Sequence, residues 1–160
     1  MECILIFLFL ATGSASQQKG DDVRAVLERR YEELARANER RDLAAVRAIR
    51  HETFHAILPD GRIAGPMEMD ENSKAFFASA QSPITVKFTI RALWISGDGM
   101  IVAADVFQEV SRFREIEGQR RRLDTTVVQR ETWVKTNEGW RMKLVDNLRD
   151  QTRRIIDGKD

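Results

Sequence analysis

The chain has 160 residues, 42% of them hydrophobic and 32% charged, and a formal net charge of +1. That length supports one domain with a real core. A balance so close to neutral excludes the strong electrostatic pull toward nucleic acid or acidic lipid that a basic protein shows.

Ile4 to Ala11 form a short apolar run, followed by small residues at Gly13, Ser14, Ala15 and Ser16 and then by polar Gln17-Gln18-Lys19. This is the pattern of a secretory signal cleaved near Ala15 or Ser16. The run is too short for a permanent bilayer anchor. Residues 1–16 are therefore expected to be removed, giving a secreted or periplasmic protein with no membrane association after cleavage. A buried N-terminal strand is the alternative, because Met1-Glu2-Cys3 carries no Lys or Arg. The only cysteine, Cys3, leaves with the signal, so the mature chain is expected to have neither disulfides nor thiolate metal sites.

Residues 21–160 read as a single domain. Asp21 and Asp22 sit where a helix N-cap belongs. Val23, Val26, Leu27, Tyr31 and Leu34 then form one apolar stripe on a helix that runs to about Glu39. Asp42 can cap a second, shorter helix carrying Leu43, Val46 and Ile49. Phe54, Ala56 and Ile57 read as a short strand, Pro59-Asp60-Gly61 as a turn, and Arg62-Ile63-Ala64 as a segment that pairs back. Gly65-Pro66 opens a third helix, with Pro in its first turn.

From Ile84 the period changes to two: Val86, Phe88, Ile90, Ala92 and Trp94 alternate with Thr85, Lys87, Thr89, Arg91 and Leu93. Turns at Ser96-Gly97-Asp98-Gly99, Glu117-Gly118-Gln119 and Asn137-Glu138-Gly139 divide the remainder into long strands. Arg120-Arg121-Arg122 follows Gly118 and reads as a solvated hairpin tip. The expected fold class is α+β: four long antiparallel strands and a short N-terminal strand or hairpin, curved around three N-terminal helices. The tail from Gln151 either extends the last strand or lies across a partner.

The last hairpin permits a sharper reading. If Gly139 takes the left-handed position of a three-residue turn, Thr136 faces Trp140, Val134 faces Met142, Thr132 faces Leu144 and Arg130 faces Asp146. Met142, Leu144 and Asp146 then point inward, with an Arg130–Asp146 pair beside a pocket. That pair would either close the end of the sheet or let Arg130 orient a carboxylate or carbonyl ligand. A two-residue turn would set Gln129 opposite Asp146 instead.

Four stretches taken together resemble the nuclear transport factor 2-like superfamily, in its polyketide-cyclase-like and ketosteroid-isomerase-like branches. They are Tyr31 to Asn38 with Asp42-Leu43, Thr53 to Arg62 with its Pro-Asp-Gly-Arg turn, Gly65 to Phe77, and Arg130-Glu131-Thr132-Trp133 with Gly139-Trp140-Arg141-Met142. The resemblance implies a cone with a pocket at its open end, and a homodimer formed through the sheet. It also implies that the isomerase's catalytic Asp, just before the turn proline, is replaced by Leu58. The position of the isomerase's first-helix Tyr falls on Leu34, with Tyr31 one turn earlier. Steroid isomerisation is therefore not expected.

His51-Glu52-Thr53-Phe54-His55 matches the H-E-x-x-H zinc signature, which needs both histidines on one helical face and a third ligand. The resemblance puts this segment on a strand, where positions four apart are about 13 Å apart. Coincidence is the favoured reading, a zinc hydrolase the remote one, and neither metal nor cofactor is expected. His55 is either a packed residue or an acid–base group facing the cavity. Asp105 is either an inward polar group or an outward residue at a bend. Tyr31, Trp94 and Trp133 are core aromatics or pocket lining. The candidate binding set is thus Tyr31, His55, Trp94, Arg130, Thr132 and Asp146, with His55, Asp105 and Asp146 as weak catalytic candidates. The leading expectation is a binder of a small, partly apolar molecule. The alternatives are an isomerase, dehydratase or cyclase acting on an apolar carbonyl compound, and an interaction module with a filled cavity.

Overall fold

A computed structural model of the protein describes residues 12–148 and 151–159. In chain order the elements are α1 (Thr12–Glu39), α2 (Leu43–Ile49), β1 (Arg50–Ile57), β2 (Ile63–Ala64), α3 (Pro66–Ser79), β3 (Gln81–Ile95), β4 (Ile101–Ile116), β5 (Gln119–Thr136), β6 (Gly139–Asn147) and β7 (Arg153–Ile156). The strands form one sheet in the order β2-β1-β6-β5-β4-β3, with β7 paired to β5. All pairs are antiparallel except β1 with β6. The sheet curves around the helices without closing, so the expected α+β cone is formed.

The α1 stripe is the reason the sheet curves on this side. Leu27, Tyr31, Leu34 and Ala37 recur at three- and four-residue spacing and are all buried. They pack against Val102, Ala104 and Val106 of β4 and Trp133 of β5 in one core. The helix does not start at Asp21 or Asp22; both lie inside it. Gln17, Gln18 and Lys19 are good helix formers and carry the helix through Gly20. Lys19 reaches the β3–β4 turn, approaching Gly99 and the Asp98 carboxylate. The expected signal run falls on residues 1–11, outside the described residues, and its expected cleavage point lies in the first turns of α1. No helix among the described residues is long and apolar enough to cross a membrane.

Asp42 caps α2 as expected, accepting from the Ala45 amide at 3.0 Å. Asp70 on α3 accepts from Arg47 at 2.7 Å and Arg50 at 3.0 Å, which ties α3 to α2 and β1. This anchor sets α3 as the roof over the open end of the concave face. β5 is the longest strand and serves two partners: residues 129–136 pair with β6, residues 123–126 with β7. The tail therefore extends the sheet beside the outer half of β5.

Two of the sheet's register shifts decide where the candidate side chains point. In β3, Ile90 pairs with Val106 and Ala92 with Asp105, so Arg91 is an extra residue. In β6, Met142 pairs with Trp133 and Leu144 with Thr132, so Lys143 is an extra residue. An extra residue bends the strand and shifts every later side chain to the opposite face. Beyond Arg91 the inward residues are Leu93 and Ile95, and Trp94 turns outward. Beyond Lys143 the inward residue is Val145, while Leu144 and Asp146 turn outward.

Candidate functional site

The concave face of the strands carries Val86 on β3, Gln108, Val110 and Arg112 on β4, and Thr125 and Val127 on β5, in phase with the buried Val102, Ala104 and Val106. Near the open end of the cone these residues meet α3 and the end of α1 around a cavity of about 260 Å³. Its apolar walls are Met69, Phe76, Val86, Val110 and Val127; its polar walls are Asn38, Asn72, Ser73, Gln108, Arg112 and Thr125. Asn38 donates back to the Leu34 carbonyl at 2.8 Å, and Ser73 donates to the Met69 carbonyl at 2.8 Å, which holds both on their helices. The Arg112 guanidinium lies 5.1 Å from the centre of the Phe76 ring. Two buried polar atoms at this site, Arg112 Nε and Thr125 Oγ1, have no hydrogen-bond partner among the described residues. Buried polar atoms are rarely left this way without a reason.

A second polar group lies deeper in the cone. Tyr31 donates to Glu131 Oε2 at 2.6 Å, and the Trp133 indole donates to the Tyr31 hydroxyl at 2.9 Å and to Glu131 Oε2 at 3.2 Å. Tyr31 stacks on Phe88 with centroids 5.2 Å apart. All three members of the triad are buried. Burial pushes the Glu131 carboxyl up to about 7, against the lowering effect of its two donors. The Tyr31 hydroxyl is raised well above its ordinary value, first by burial and then by the facing Glu131 charge. Glu131 lies six positions along β5 from Thr125, about 20 Å, and none of the triad lines the cavity.

The remaining sequence-derived candidates lie on the opposite, convex face. They fall in two adjacent cross-strand rows. One runs His55, Leu144, Thr132, Ala103, Trp94; the other runs Ile57, Asp146, Arg130, Asp105, Ala92. Opposite residues share a face, and the flanking Phe54, Ala56, Ala104, Glu131 and Val145 are buried on the concave side. His55, Trp94, Arg130, Thr132, Asp105 and Asp146 are thus brought together, but outside the cone.

The expected pairing of Arg130 with Asp146 is half corrected. The two residues are cross-strand partners, yet Arg130 makes its bidentate ion pair with Asp105, at 2.7 and 3.0 Å. That pair holds the Asp105 carboxyl below its ordinary range. The hairpin turn has Thr136 opposite Gly139, two residues rather than three, and the Lys143 bulge restores the count. Met142 is inward as expected. Leu144 and Asp146 are not.

His51 and His55 both lie on β1, so the one-turn helical geometry of a zinc signature is not formed. His51 Nδ1 instead sits 2.9 Å from the Thr53 hydroxyl. No group of three or more His, Cys, Asp or Glu side chains that could hold a metal occurs among the described residues.

Sequence reasoning missed Arg112, Thr125 and Glu131. The signal for Glu131 was Trp133: the large aromatic on this strand sets the inward phase, and Glu131 is in phase with it while Arg130 is not. For Arg112, the run Val102, Ala104, Val106 sets a phase that Gln108 and Arg112 continue.

No protein-family model matches the sequence, and no curated protein matches it. Solved structures do match over most of its length. A nuclear transport factor 2 (NTF2-like) superfamily protein from Salmonella enterica serovar Typhimurium has a TM-score of 0.63 at 19% identity, covering 84% of this chain and 92% of that one. A hexachlorocyclohexane dehydrochlorinase, LinA type 2, has a TM-score of 0.65 at 11% identity, covering 87% of this chain and 93% of that one. An NTF2-like protein with a cystatin-like fold from Novosphingobium aromaticivorans has a TM-score of 0.61 at 16% identity, covering 88% of this chain and 90% of that one. The chain has the nuclear transport factor 2-like fold that its motifs implied.

Proposed function

We propose that this nuclear transport factor 2-like fold binds a small, partly apolar molecule in the cavity at the mouth of its cone, without turning it over. The observation that carries the reading is the pair of buried, unpartnered polar atoms, Arg112 Nε and Thr125 Oγ1, set beside an apolar wall. A few placed polar groups in a mainly apolar hollow are the usual make-up of a small-molecule site. Absence of turnover is supported by the lining itself. It contains no His, Asp, Glu, Cys, Tyr or Lys, the side chains that move protons near neutral pH. Glu131, with its raised carboxyl, is sealed within the core.

Screening small aromatic fragments by amide chemical shift tests this. Binders are expected to shift Ser73, Gln108 and Thr125. Val110→Phe, which puts bulk into the cavity, is expected to weaken them about tenfold while the protein keeps its fold. A screen in which fragments shift only residues elsewhere, or in which Val110→Phe changes nothing, removes this reading.

The partner we propose for the convex face is a second copy of the chain. Trp94 and Ile101 are 50% and 47% exposed there on neighbouring strands, with Phe107, Val128, Val134 and Leu144 half-buried across the same face. Sedimentation is expected to show a dimer in the wild type and a monomer in the Trp94→Asp, Ile101→Asp double variant. A wild type that stays monomeric at high concentration refutes it. Export is likewise our proposal from the N-terminal run, and N-terminal sequencing of protein from the producing cells checks it: an intact Met1 in all of it ends the idea.

A further inference from the structure

We propose that the ligand of this cavity carries an oxyanion, received by Arg112 and Thr125 with Arg154 and Arg114 behind them. This rests on the cavity being the binding site and adds the chemical class of what enters it.

The geometry gathers cations around one hydroxyl. Val110 of β4 faces Thr125, which makes Arg112 and Thr125 diagonal neighbours across the β4–β5 pair, and Arg154 of β7 lies directly opposite Thr125 on its other side. Residues so related share a face and reach one another's head groups. Arg114 follows Arg112 on the same face and, with Arg154, lines the adjoining hollow of about 510 Å³. The charge of Arg112 is felt by both: burial, then Arg114, then Arg154 hold its guanidinium below its ordinary value.

No carboxylate among the described residues pairs with them. Among the described residues, Arg112, Arg114 and Arg154 make no ion pair. The nearby Asp157 is held by Arg121 at 2.9 Å and by the Arg122 amide at 2.9 Å, and Asp124 is held by Arg122 at 3.0 Å. Elsewhere on the surface, by contrast, most arginines have found a partner, as Arg130 has in Asp105. Three guanidinium groups left together, one of them half out of water, are a standing repulsion that an oxyanion relieves. Arg112 offers Nε–H as one tine of the fork that binds carboxylate or phosphate bidentately, and Thr125 offers a hydroxyl donor. The apolar body of such a ligand would lie along Phe76, Val110 and Val127.

The experiment titrates the full chain with benzoate, phenyl phosphate and neutral benzamide, read by amide shifts and by thermal stability. Benzoate is expected to bind about tenfold more tightly than benzamide and to shift Thr125 and Ser73. Arg112→Gln should bring benzoate down to the benzamide level and leave benzamide unchanged. Arg154→Gln, at an exposed position where the fold is not at risk, should weaken benzoate several-fold. Arg36→Gln removes the same charge from the outside of α1 and should change nothing. Tighter binding of phenyl phosphate than of benzoate supports the proposal and identifies phosphate as the preferred head group. Equal binding of benzoate and benzamide at Thr125 overturns the oxyanion while keeping the cavity as a site. Equal loss in Arg154→Gln and Arg36→Gln reduces the effect to net charge and also overturns it. Failure of all three probes to shift any cavity residue overturns this inference and the binding-site reading together.

Discussion

Trp133→Ala is expected to lower the unfolding free energy by about 4 kcal/mol, the largest loss foreseen for any single side chain here. Trp133 is fully buried, meets the edge of Tyr31 at 5.3 Å between centroids, and donates to both Tyr31 and Glu131. Truncation opens a void that the helix α1 on one side and the sheet on the other cannot both close. It also strips one donor from a carboxyl that has no access to water. A domain of this size has a total stability of about 5–15 kcal/mol, so the variant should stand near the edge of folding. Denaturant unfolding measures the loss. Met67→Ala, at an exposed place on α3, is the control and should cost less than about 1 kcal/mol. Equal losses from the two would mean that Trp133 is not the keystone of the core.

Glu131→Gln is expected to stabilise the protein in alkaline solution and to flatten its pH dependence. The sign follows from the direction of the shift. The unfolded carboxyl titrates near 4.5 and the folded one at about 7. Below the lower value both states hold the proton and the group contributes no difference. Between the two, the unfolded chain has released its proton and the folded one has not, so stability falls as pH rises. Above the upper value the full cost of a buried carboxylate is carried, about 3 kcal/mol at 1.36 kcal/mol per unit. The glutamine keeps an oxygen to accept from Tyr31 and carries no charge. The gap between variant and wild type should therefore open between about pH 5 and about pH 8. The surface carboxylates Asp98, Asp105 and Asp157, whose values are lowered, lose their contribution only in stronger acid, and the comparison with the variant cancels them. Parallel stability curves for the two proteins would mean that Glu131 stays charged and satisfied throughout.

Element types and order were legible in the chain, because each rests on local chemistry. The α1 stripe, the Asp42 cap, the Pro66 helix start and the left-handed Gly61 each act within a few residues. Cross-strand partners near the end of the last hairpin were legible too: Thr132 with Leu144 and Arg130 with Asp146. What failed was the face. A strict two-residue alternation does not hold through Arg91 and Lys143, where a single extra residue reverses everything after it. Lys143 left a trace, since Leu144 and Val145 are adjacent apolar residues that no strict two-residue period allows. Arg91 left the same trace, since Ala92, Leu93, Trp94 and Ile95 are apolar residues in an unbroken row. The cavity was illegible for a different reason. Arg112 and Thr125 are separated by a hairpin, and their neighbour Arg154 comes from a tail whose placement depends on tertiary pairing alone.

The parallel pairing of β1 with β6 constrains the order in which the molecule can be assembled. β6 lies between β1 and β5, and contacts across that seam, such as Asn147 with the Ile57 carbonyl at 3.1 Å, join residues 90 positions apart. The seam cannot be zipped until the chain through Asn147 has left the ribosome. Folding of this kind is slow, since the entropy of closing a long loop is lost before the contact forms. The half-made chain, with β5 paired to β4 alone, is the form in which a chaperone would meet it.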